Sequence, residues 1–500
     1  MKKPNIVYFV ADQMRSDSLH HLGCEASQTP NLDAIVKEGV SFENAYCQNP
    51  VCVPSRCSFL TGLYPHTTGH RTIHYLQNEG EPNFLRTMKQ QGYEVIWCGR
   101  NDIIPADRSK AEFCDRYYNG LDMADTKDRL SKNHAVPHAK EDLPDVPVHT
   151  EPGYYAHFRG KISYEEAHGQ GSHGMGSSDW GCVEAALNYI EEKSKEPDSK
   201  PFFLYVTLAF PHPPYGCEDP WYSAIDRSKC EHRRPSALTL NKPSMLKGIA
   251  EKQNLKDWGE ENFIEMRAVY LAMVSRFDAQ FGMLCDKLKD CGMYDDTSIF
   301  VFSDHGDYTG DYDIAEKVQN CFDDPVSNVP LIVKPATQFK VTPRISKALV
   351  ELTDITATVE EMTGVKTEYV HFGKSLLPVL EEEKEHKDAV FCEGGRIHGE
   401  YWAMERGHNQ DSEYWPRLST QCSEGPEHTK AAMIRMGNLK YVMRLYEEDE
   451  LYDLEKDPKE LHNIIEDPSY AEDVQKMKNR MLTWYMETAD IVPNRKDPRF

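Results

Sequence analysis

The sequence has no long uninterrupted apolar run, and its basic residues are few. No stretch reaches the roughly 20 apolar residues of a membrane-spanning helix, so we expect no bilayer span. Lysine and arginine total 57 against 81 aspartates and glutamates, which gives a net charge of −24. Because such a surface repels polyanions, nucleic acid and anionic membranes are not expected partners. A long polyanionic substrate is also disfavoured, unless a local basic patch overrides the global field.

The sequence gives little support for export or for a disulfide framework. The apolar run at residues 6–11 is too short for the hydrophobic region of a secretion signal, and Asp12 ends it. The 14 cysteines are scattered without framework spacing, as is typical of reduced thiols. We therefore expect a cytoplasmic protein.

The chain does contain a regular alternation of two kinds of segment. Apolar runs rich in β-branched residues predict buried strands, and apolar residues at helical spacing predict amphipathic helices. Strands are predicted at residues 5–11, 93–98, 202–209, 298–303 and 329–333, and helices at 29–39, 84–92, 179–195 and 269–288. The alternation predicts a doubly wound α/β fold with a largely parallel central sheet, which binds ligands at the carboxyl ends of its strands.

The last part of the chain has a different pattern. A charged run at residues 381–387 predicts a linker or a solvated face. Beyond it, residues 431–445 and 450–454 predict a hairpin, and residues 471–488 a helix. We therefore expect a catalytic domain at residues 1–384 and a smaller α+β subdomain at residues 385–500. Within the first domain, the irregular residues 103–178 are expected to shape the substrate pocket.

The most specific motif runs from Cys52 to Gly62 and reads CVPSRCSFLTG. Six positions at fixed spacing define it: Cys52, Pro54, Ser55, Arg56, Thr61 and Gly62. A chance match in a chain of this length is on the order of one in a hundred thousand. The alternative is a buried structural cysteine ahead of a helix. The motif is similar to the signature of the sulfatase family, Cys-x-Pro-Ser-Arg followed by Thr-Gly.

This resemblance implies an alkaline-phosphatase-like fold and a particular nucleophile. In sulfatases a maturation enzyme oxidises the cysteine to formylglycine, an aldehyde that hydrates to a geminal diol. One hydroxyl attacks sulfur, and the second then collapses to the aldehyde and expels sulfate. The resemblance implies that Cys52 is the precursor of this nucleophile and that Arg56 pairs with the diol or alkoxide.

Two further motifs predict a divalent metal site. Asp12-Gln13 ends the first predicted strand, and Asp304-His305 follows another. A lone aspartate at a strand end is more often a helix cap. Sulfatases, however, carry an acidic pair near the N-terminus and Asp-His or Asp-Asn late in the domain. The resemblance therefore implies that all four residues and the modified Cys52 bind the metal. Gln13 stands where aspartate is commoner. Oxygen-rich ligation favours calcium, and the imidazole keeps manganese open.

Three more segments carry candidate catalytic residues. His212 lies in FPHPPY, which is similar to the family's Pro-His-x-Pro motif and implies general acid or base work. Lys317, 13 residues after Asp304, has the offset of a sulfate-binding lysine. Arg100 and Asp102 lie in GRND, where many sulfatases have Gly-Lys-x-His. Arg100 can bind a sulfate oxygen. Three alternatives remain for the proton on the leaving group: Asp102 acts as the acid, His212 acts alone, or Asp102 binds substrate instead.

Residues His70, Arg71 and His74 follow the motif that contains Cys52. They are either substrate contacts or surface polar residues.

Together these motifs predict a sulfuric ester hydrolase that acts on a small organic sulfate, in particular a sulfated sugar. Arg56, Arg100, Lys317 and the metal can capture one sulfate group despite the acidic surface. We expect exo-type action on mono- or short oligosaccharide sulfates. One alternative is a phosphonate monoester or phosphodiester hydrolase of the same superfamily, many of which carry Asp-Gln at the first metal motif. A second is an inactive sulfate-binding scaffold.

Overall fold

The computed structural model describes residues 2–119, 158–168, 177–196, 200–255, 258–406, 414–492 and 499. Within these ranges, no helix combines the length and the apolar character needed to cross a membrane. All 14 cysteines are free thiols. Residues 120–157 and 169–176 of the region expected to shape the pocket lie outside the described residues.

The described residues form strands and helices that alternate through most of the chain. The strands are β1 Asn5–Asp12, β2 Val40–Tyr46, β3 Glu94–Gly99, β4 Arg116–Tyr118, β5 Phe158–Lys161, β6 Phe202–Pro211, β7 Tyr215–Cys217, β8 Thr297–Ser303, β9 Leu331–Lys334, β10 Arg344–Glu351, β11 Val390–Gly394, β12 Ala431–Met436, β13 Leu439–Arg444 and β14 Glu450–Asp453. The helices are α1 Pro30–Ile35, α2 Cys52–Thr61, α3 Pro65–Thr68, α4 Phe84–Gln90, α5 Tyr164–His168, α6 Ser177–Ser194, α7 Trp221–Ala224, α8 Ser244–Gln253, α9 Glu260–Asp290, α10 Asp324–Ser327, α11 Asp354–Thr363, α12 Leu377–Glu381, α13 Trp415–Gln421 and α14 Ala471–Thr488.

The main sheet has eight strands in the order β10-β2-β9-β8-β1-β6-β3-β4. The four neighbours β8, β1, β6 and β3 run parallel to one another. The predicted largely parallel α/β sheet is confirmed. The apolar run at residues 329–333 is a strand as predicted, but β9 runs antiparallel to both β8 and β2.

The main sheet is covered on both faces, as the continuous apolar strands predict. Along β1, Val7 and Phe9 join an apolar cluster with α6 and α9, whereas Tyr8 and Val10 join a second cluster with α2, α4 and α11. Successive side chains of a strand point to opposite faces, so β1 supplies both cores at once. Such strands lie in the centre of a doubly wound sheet and position their ends rigidly.

The C-terminal part of the chain forms a separate antiparallel sheet in the order β11-β12-β13-β14. Helix α14 covers it, and Phe391 stacks on Trp484 with ring centroids 4.4 Å apart. Tyr64, just after α2, belongs to the same apolar cluster, so this sheet packs beside α2. The small C-terminal α+β unit is thus present, and its boundary near residue 385 stays a prediction.

Two expectations about irregular segments need correction. The region at residues 103–178 is not wholly irregular, because β4 extends the main sheet and β5 pairs with β7. In the charged run, residues 381–385 are exposed, but Lys387 binds Asp354 at 2.7 Å and His386 lies 3.2 Å from the same carboxylate. His386 is buried and Lys387 partly buried beside Asp354, whereas a solvated linker would leave both in water.

Candidate active site

The carboxyl ends of four parallel strands bring distant residues together. Asp12 ends β1, Asp304 follows β8, His212 follows β6 and Arg100 follows β3. Because these strands are neighbours, their ends meet at one edge of the sheet, where α/β folds bind ligands. The positions predicted from four separate motifs therefore share one location.

Helix α2 supplies the fifth element of the site. Cys52 is its first residue, and Gly62 ends it in the left-handed conformation, with φ 69°. A Cβ added at Gly62 would lie 2.8 Å from Cβ of His371, so the position requires glycine for space as well. Every residue of the helix is buried. The helix is therefore fixed in place, and Cys52 points at the strand ends.

Arg56 clamps the two aspartates from the next turn of α2. Its Nη2 donates to Oδ2 of Asp12 at 2.9 Å, and its Nε donates to Oδ2 of Asp304 at 2.8 Å. All three side chains are fully buried. Each carboxylate thus has one oxygen held by the guanidinium, and charge-assisted bonds of this kind fix geometry well.

The ligand atoms of Asp12, Cys52, Asp304 and His305 lie within 4.8 Å of one another. The Nδ1 of His305 donates to the carbonyl of Gly306 at 2.9 Å, so Nε2 keeps its lone pair and lies 3.1 Å from Sγ of Cys52. Burial lowers the pKa of His305, which keeps the imidazole neutral. Two carboxylates and an oriented neutral imidazole are a donor set that fits a divalent cation.

Gln13 occupies an unusual backbone conformation beside this cluster. Its φ is 73°, a left-handed value that is uncommon for a residue other than glycine. The hydroxyl of Tyr270 donates to its carbonyl at 2.8 Å, and its own N–H donates to Oδ1 of Asp304 at 3.1 Å. Its side-chain oxygen accepts from Lys317 at 2.7 Å. The amide oxygen therefore faces the lysine, and metal ligation by Gln13 stays a prediction.

Lys317 and His212 form a direct pair. The lysine Nζ donates to Nε2 of His212 at 2.7 Å, and Nδ1 of His212 donates to the carbonyl of Pro213 at 2.6 Å. Burial and the neighbouring lysine ammonium lower the pKa of His212 well below its usual value. His212 is therefore a neutral imidazole, and its Nε2 accepts the hydrogen bond from the Lys317 ammonium.

Arg100 and Asp102 lie at the open side of the cluster. Arg100 Nη1 donates to Oδ2 of Asp12 at 3.0 Å, and its side chain is 29% exposed. An Oδ2 of Asp102 lies 3.7 Å from Nε of Arg56 and 3.9 Å from Nε of Arg100, with no hydrogen-bond partner. The structure thus places both residues of the GRND segment where a ligand could reach them.

The local charges act on Asp12 and Cys52 in opposite ways. Burial alone would raise the pKa of Asp12, but its neighbours, the guanidinium groups of Arg100 and Arg56 among them, outweigh burial, and the pKa lies well below its ordinary value. Burial and the nearby Asp12 carboxylate raise the pKa of the Cys52 thiol. An unmodified Cys52 is therefore a protonated thiol and a weak nucleophile.

Three residues of this region are not among the site residues predicted from the sequence. Asp307 accepts hydrogen bonds from Gln13 Nε2 at 2.5 Å and from the Tyr215 hydroxyl at 2.8 Å. The acidic SDHGD segment is a sequence signal from which Asp307 could have been predicted. Glu316 binds Lys317 at 3.2 Å. Arg417 of α13 lies 3.7 Å from Glu316, is buried, and has two nitrogens, Nε and Nη2, without hydrogen-bond partners. No signal in the sequence distinguishes Arg417 from other arginines.

The residues after α2 are engaged in local contacts. Both ring nitrogens of His70 have partners, Glu81 Oε2 at 2.7 Å and the carbonyl of Tyr75 at 3.1 Å. Arg71 binds Glu400 and the carbonyl of Gly395. These contacts favour a structural role over substrate contact for both, and substrate contact by His74 stays a prediction.

Comparison with known proteins gives a family and two full-length relatives. The sulfatase family model matches residues 4–365. The multifunctional alkaline phosphatase superfamily protein PehA of Trinickia caryophylli is 26% identical, with 98% of this chain and 96% of PehA aligned. The N-acetylglucosamine-6-O-sulfatase of Bacteroides thetaiotaomicron is 23% identical, with 99% of this chain and 88% of that protein aligned.

A solved structure resembles the fold closely. The phosphonate monoester hydrolase of Agrobacterium radiobacter superposes with a TM-score of 0.73 at 23% identity, covering 97% of this chain and 96% of that one. At this identity the likeness shows a shared fold, and the same fold serves more than one kind of ester.

Proposed function

This chain belongs to the sulfatase family, and from that premise we propose that it removes sulfate from a small organic sulfate ester, in particular a sulfated sugar. One observation carries the proposal: Cys52, Arg56, Asp12, Asp304 and His305 meet in a single buried cluster. The alkaline-phosphatase-like fold and the N-acetylglucosamine-6-O-sulfatase relative support it. An inactive scaffold would have no need of a buried cysteine among metal-binding side chains.

We propose that Cys52 is converted to formylglycine by a maturation enzyme, which would be a partner of this protein. The hydrated aldehyde would supply the attacking hydroxyl. Asp12, Asp304, His305 and, by its amide oxygen, Gln13 would hold a divalent ion, calcium or alternatively manganese, which would polarise the sulfate group. Arg56 holds both aspartates in place and would stabilise an oxyanion at position 52. The 14 free thiols support a cytoplasmic location.

Lys317, Arg100 and His212 would act on the sulfate group and on the leaving alcohol. Lys317 is buried with its ammonium directed at Gln13 and His212, and a sulfate oxygen can take the place of either acceptor. Arg100 is partly exposed and meets substrate from the open side. His212 would handle a proton, because its Nε2 belongs to a neutral ring. Asp102, whose side chain is 24% exposed, would bind a substrate hydroxyl or assist His212.

The second candidate function is phosphonate monoester or phosphodiester hydrolysis. The Asp12-Gln13 pair and the likeness to a phosphonate monoester hydrolase favour it. Matched aryl esters that differ only in carrying sulfate or phosphonate decide between the two candidates. We expect the matured enzyme to favour the sulfate in kcat/KM by at least tenfold, about 1.4 kcal/mol of transition-state stabilisation. A preference of that size for the phosphonate would make the second candidate correct.

Substrate size is a further expected difference. The net charge of −24 repels a sulfated polymer, whereas the buried cations act only over a short distance on a single sulfate group. We expect sulfate release from a short oligosaccharide to exceed release from the intact polymer by about tenfold or more at matched sulfate concentration. Added salt should narrow the gap, because it screens the repulsion. Equal rates at low salt would contradict the expected exo-type action.

The proposed proton-transfer role makes His212→Gln a specific test. Glutamine retains a polar contact for Lys317 but cannot carry a proton between groups, so kcat should fall about 10² to 10⁴-fold. The variant should still bind metal and unfold at the wild-type temperature. His70→Gln is the matched control, because His70 is also buried and both its nitrogens have local partners. If His70→Gln loses rate while His212→Gln stays active, the proton-transfer role belongs to His70 and not to His212.

A further inference from the structure

We propose a second metal site in this protein, formed by His398, Glu424 and His428, that takes zinc or a similar divalent ion with a preference for imidazole. His398 lies in the loop after β11, and Glu424 and His428 lie between α13 and β12. None of the three residues belongs to the cluster around Cys52. The proposal is independent of sulfate hydrolysis.

The first observation is the convergence of the three side chains. Their ligand atoms lie within 4.8 Å of one another, and Nδ1 of His398 is 3.6 Å from Oε2 of Glu424. The two imidazole rings are 4.8 Å apart between centroids. His398 and Glu424 are 48% and 54% exposed, so small side-chain rotations can bring their atoms to bonding distance from a common ion.

The second observation concerns His428 alone. Its side chain is 1% exposed, and neither ring nitrogen has a hydrogen-bond partner. A buried polar group left without a partner costs about 1 to 3 kcal/mol, so buried imidazoles normally have at least one. A neutral imidazole has a lone pair on one of its two ring nitrogens. A metal ion would use that lone pair.

The surrounding residues contact the side chains of Glu424 and His398 and the main chain of His428. Arg396 Nη1 contacts Oε1 of Glu424 at 3.3 Å, which leaves Oε2 on the side of His398. The N–H of Arg396 donates to the carbonyl of His428 at 3.0 Å, and the His398 ring stacks on Tyr446 with centroids 3.7 Å apart. Contacts that orient ligands in this way are typical of metal sites. The Arg396 charge opposes a cation, but Glu424 offsets it.

The donor set selects the kind of ion. Two imidazoles and one carboxylate suit zinc, which binds three protein ligands and leaves a fourth position open. The cluster around Cys52 has two carboxylates and suits a harder ion such as calcium. Excess calcium can therefore fill the first cluster while zinc is titrated into the second.

A metal here would fasten two loops close to the candidate active site. Asn320, three residues after Lys317, donates from Nδ2 to the carbonyls of Glu427 at 2.9 Å and Thr429 at 3.1 Å. The segment that carries His428 is thus bonded directly to the segment that carries Lys317. The proposed zinc site would tie the loop of His398 to the same unit.

The test is zinc titration of the full-length, chelator-treated protein in excess calcium, followed by calorimetry and by metal analysis after gel filtration. We expect one zinc per chain in the wild type and at least tenfold weaker binding in His398→Ala, Glu424→Gln and His428→Ala. The matched control is His232→Ala, which alters an exposed histidine that also lies beside a glutamate, Glu260, at 3.0 Å but has no second imidazole in the pair.

Two results would overturn the proposal. One is a wild-type protein that retains no zinc under these conditions. The other is undiminished binding in His398→Ala and Glu424→Gln, which would place zinc on other ligands, such as the free cysteines. These two side chains are exposed, so both variants should fold even if the loss of buried His428 destabilises the protein. Thermal unfolding of each variant checks this directly.

Discussion

Replacing Cys52 with alanine is expected to abolish turnover while the fold survives. Removal of a covalent nucleophile costs roughly 10⁵-fold or more, because the remaining residues can only bind and polarise the substrate. The structural cost is small, since relative to the unconverted chain the change removes a single buried sulfur atom from the start of α2, about 1 kcal/mol. Steady-state release of sulfate and the unfolding temperature, measured on the same preparation, separate the two effects.

A serine at position 52 should fail in a different and more informative way. The serine hydroxyl can accept a sulfo group, but the side chain has no second hydroxyl that could expel sulfate, so the covalent ester would persist. We expect Cys52→Ser to become sulfated at that position without turnover. Mass measurement of the peptide around residue 52 reports both this adduct and, in the wild type, conversion to formylglycine.

Cys57 provides the matched control for both variants. It lies on the same helix, is equally buried, and has no place in the proposed chemistry. Cys57→Ala should therefore keep at least a large share of the wild-type rate. Wild-type activity in Cys52→Ala would exclude the proposed nucleophile, and an unconverted cysteine in a fully active enzyme would exclude formylglycine.

The residues at the strand ends were predictable because local patterns specify them. Asp12 and Asp304 each follow an apolar run long enough for a buried strand, and parallel neighbours bring such ends together. The place of Cys52 beside these residues was implied by the family resemblance of its motif and not by a local pattern. The direction of β9 was not predictable, because an apolar run predicts burial and carries no information on strand direction.

Contacts between distant segments were beyond what the sequence could show. The pairing of His212 with Lys317 joins residues far apart in the chain, and neither motif names the other. Arg417 reaches Glu316 from α13, a short helix with no pattern of its own. The positive φ of Gln13 depends on the Tyr270 hydroxyl from α9. Each arises from tertiary packing, which periodicity does not encode.

Removal of one carboxylate from the proposed metal site should have the second large effect. Asp304→Asn keeps the shape of the side chain but removes a negative charge, so it should weaken metal binding and lower kcat/KM by about 10² to 10⁴-fold. Asp12→Asn should do the same. In both cases chelation of the wild type should reproduce the loss, and calcium or manganese should restore activity and thereby identify the ion.

The variants must be distinguished from damage to the Arg56 clamp, because Arg56 binds both aspartates. A variant that only loosens Arg56 would lose rate yet retain metal, whereas loss of a ligand lowers metal content and rate together. Metal binding also stabilises the folded state, by about 2.7 kcal/mol at 100 times the dissociation constant. The wild type should therefore unfold at a higher temperature when metal is added, and Asp304→Asn should not.

Asp278→Asn is the control for this pair, because Asp278 is a buried aspartate that accepts from the N–H of Leu32 at 2.7 Å. It belongs to neither of the candidate metal clusters found among the described residues. It should lose some stability but keep its metal and its rate. If chelation leaves the wild type fully active, and Asp12→Asn and Asp304→Asn turn over normally, the buried carboxylates serve only to hold Arg56. The reaction at Cys52 would then proceed without a metal ion, and Arg56, Arg100 and Lys317 alone would offset the charge of the sulfate group.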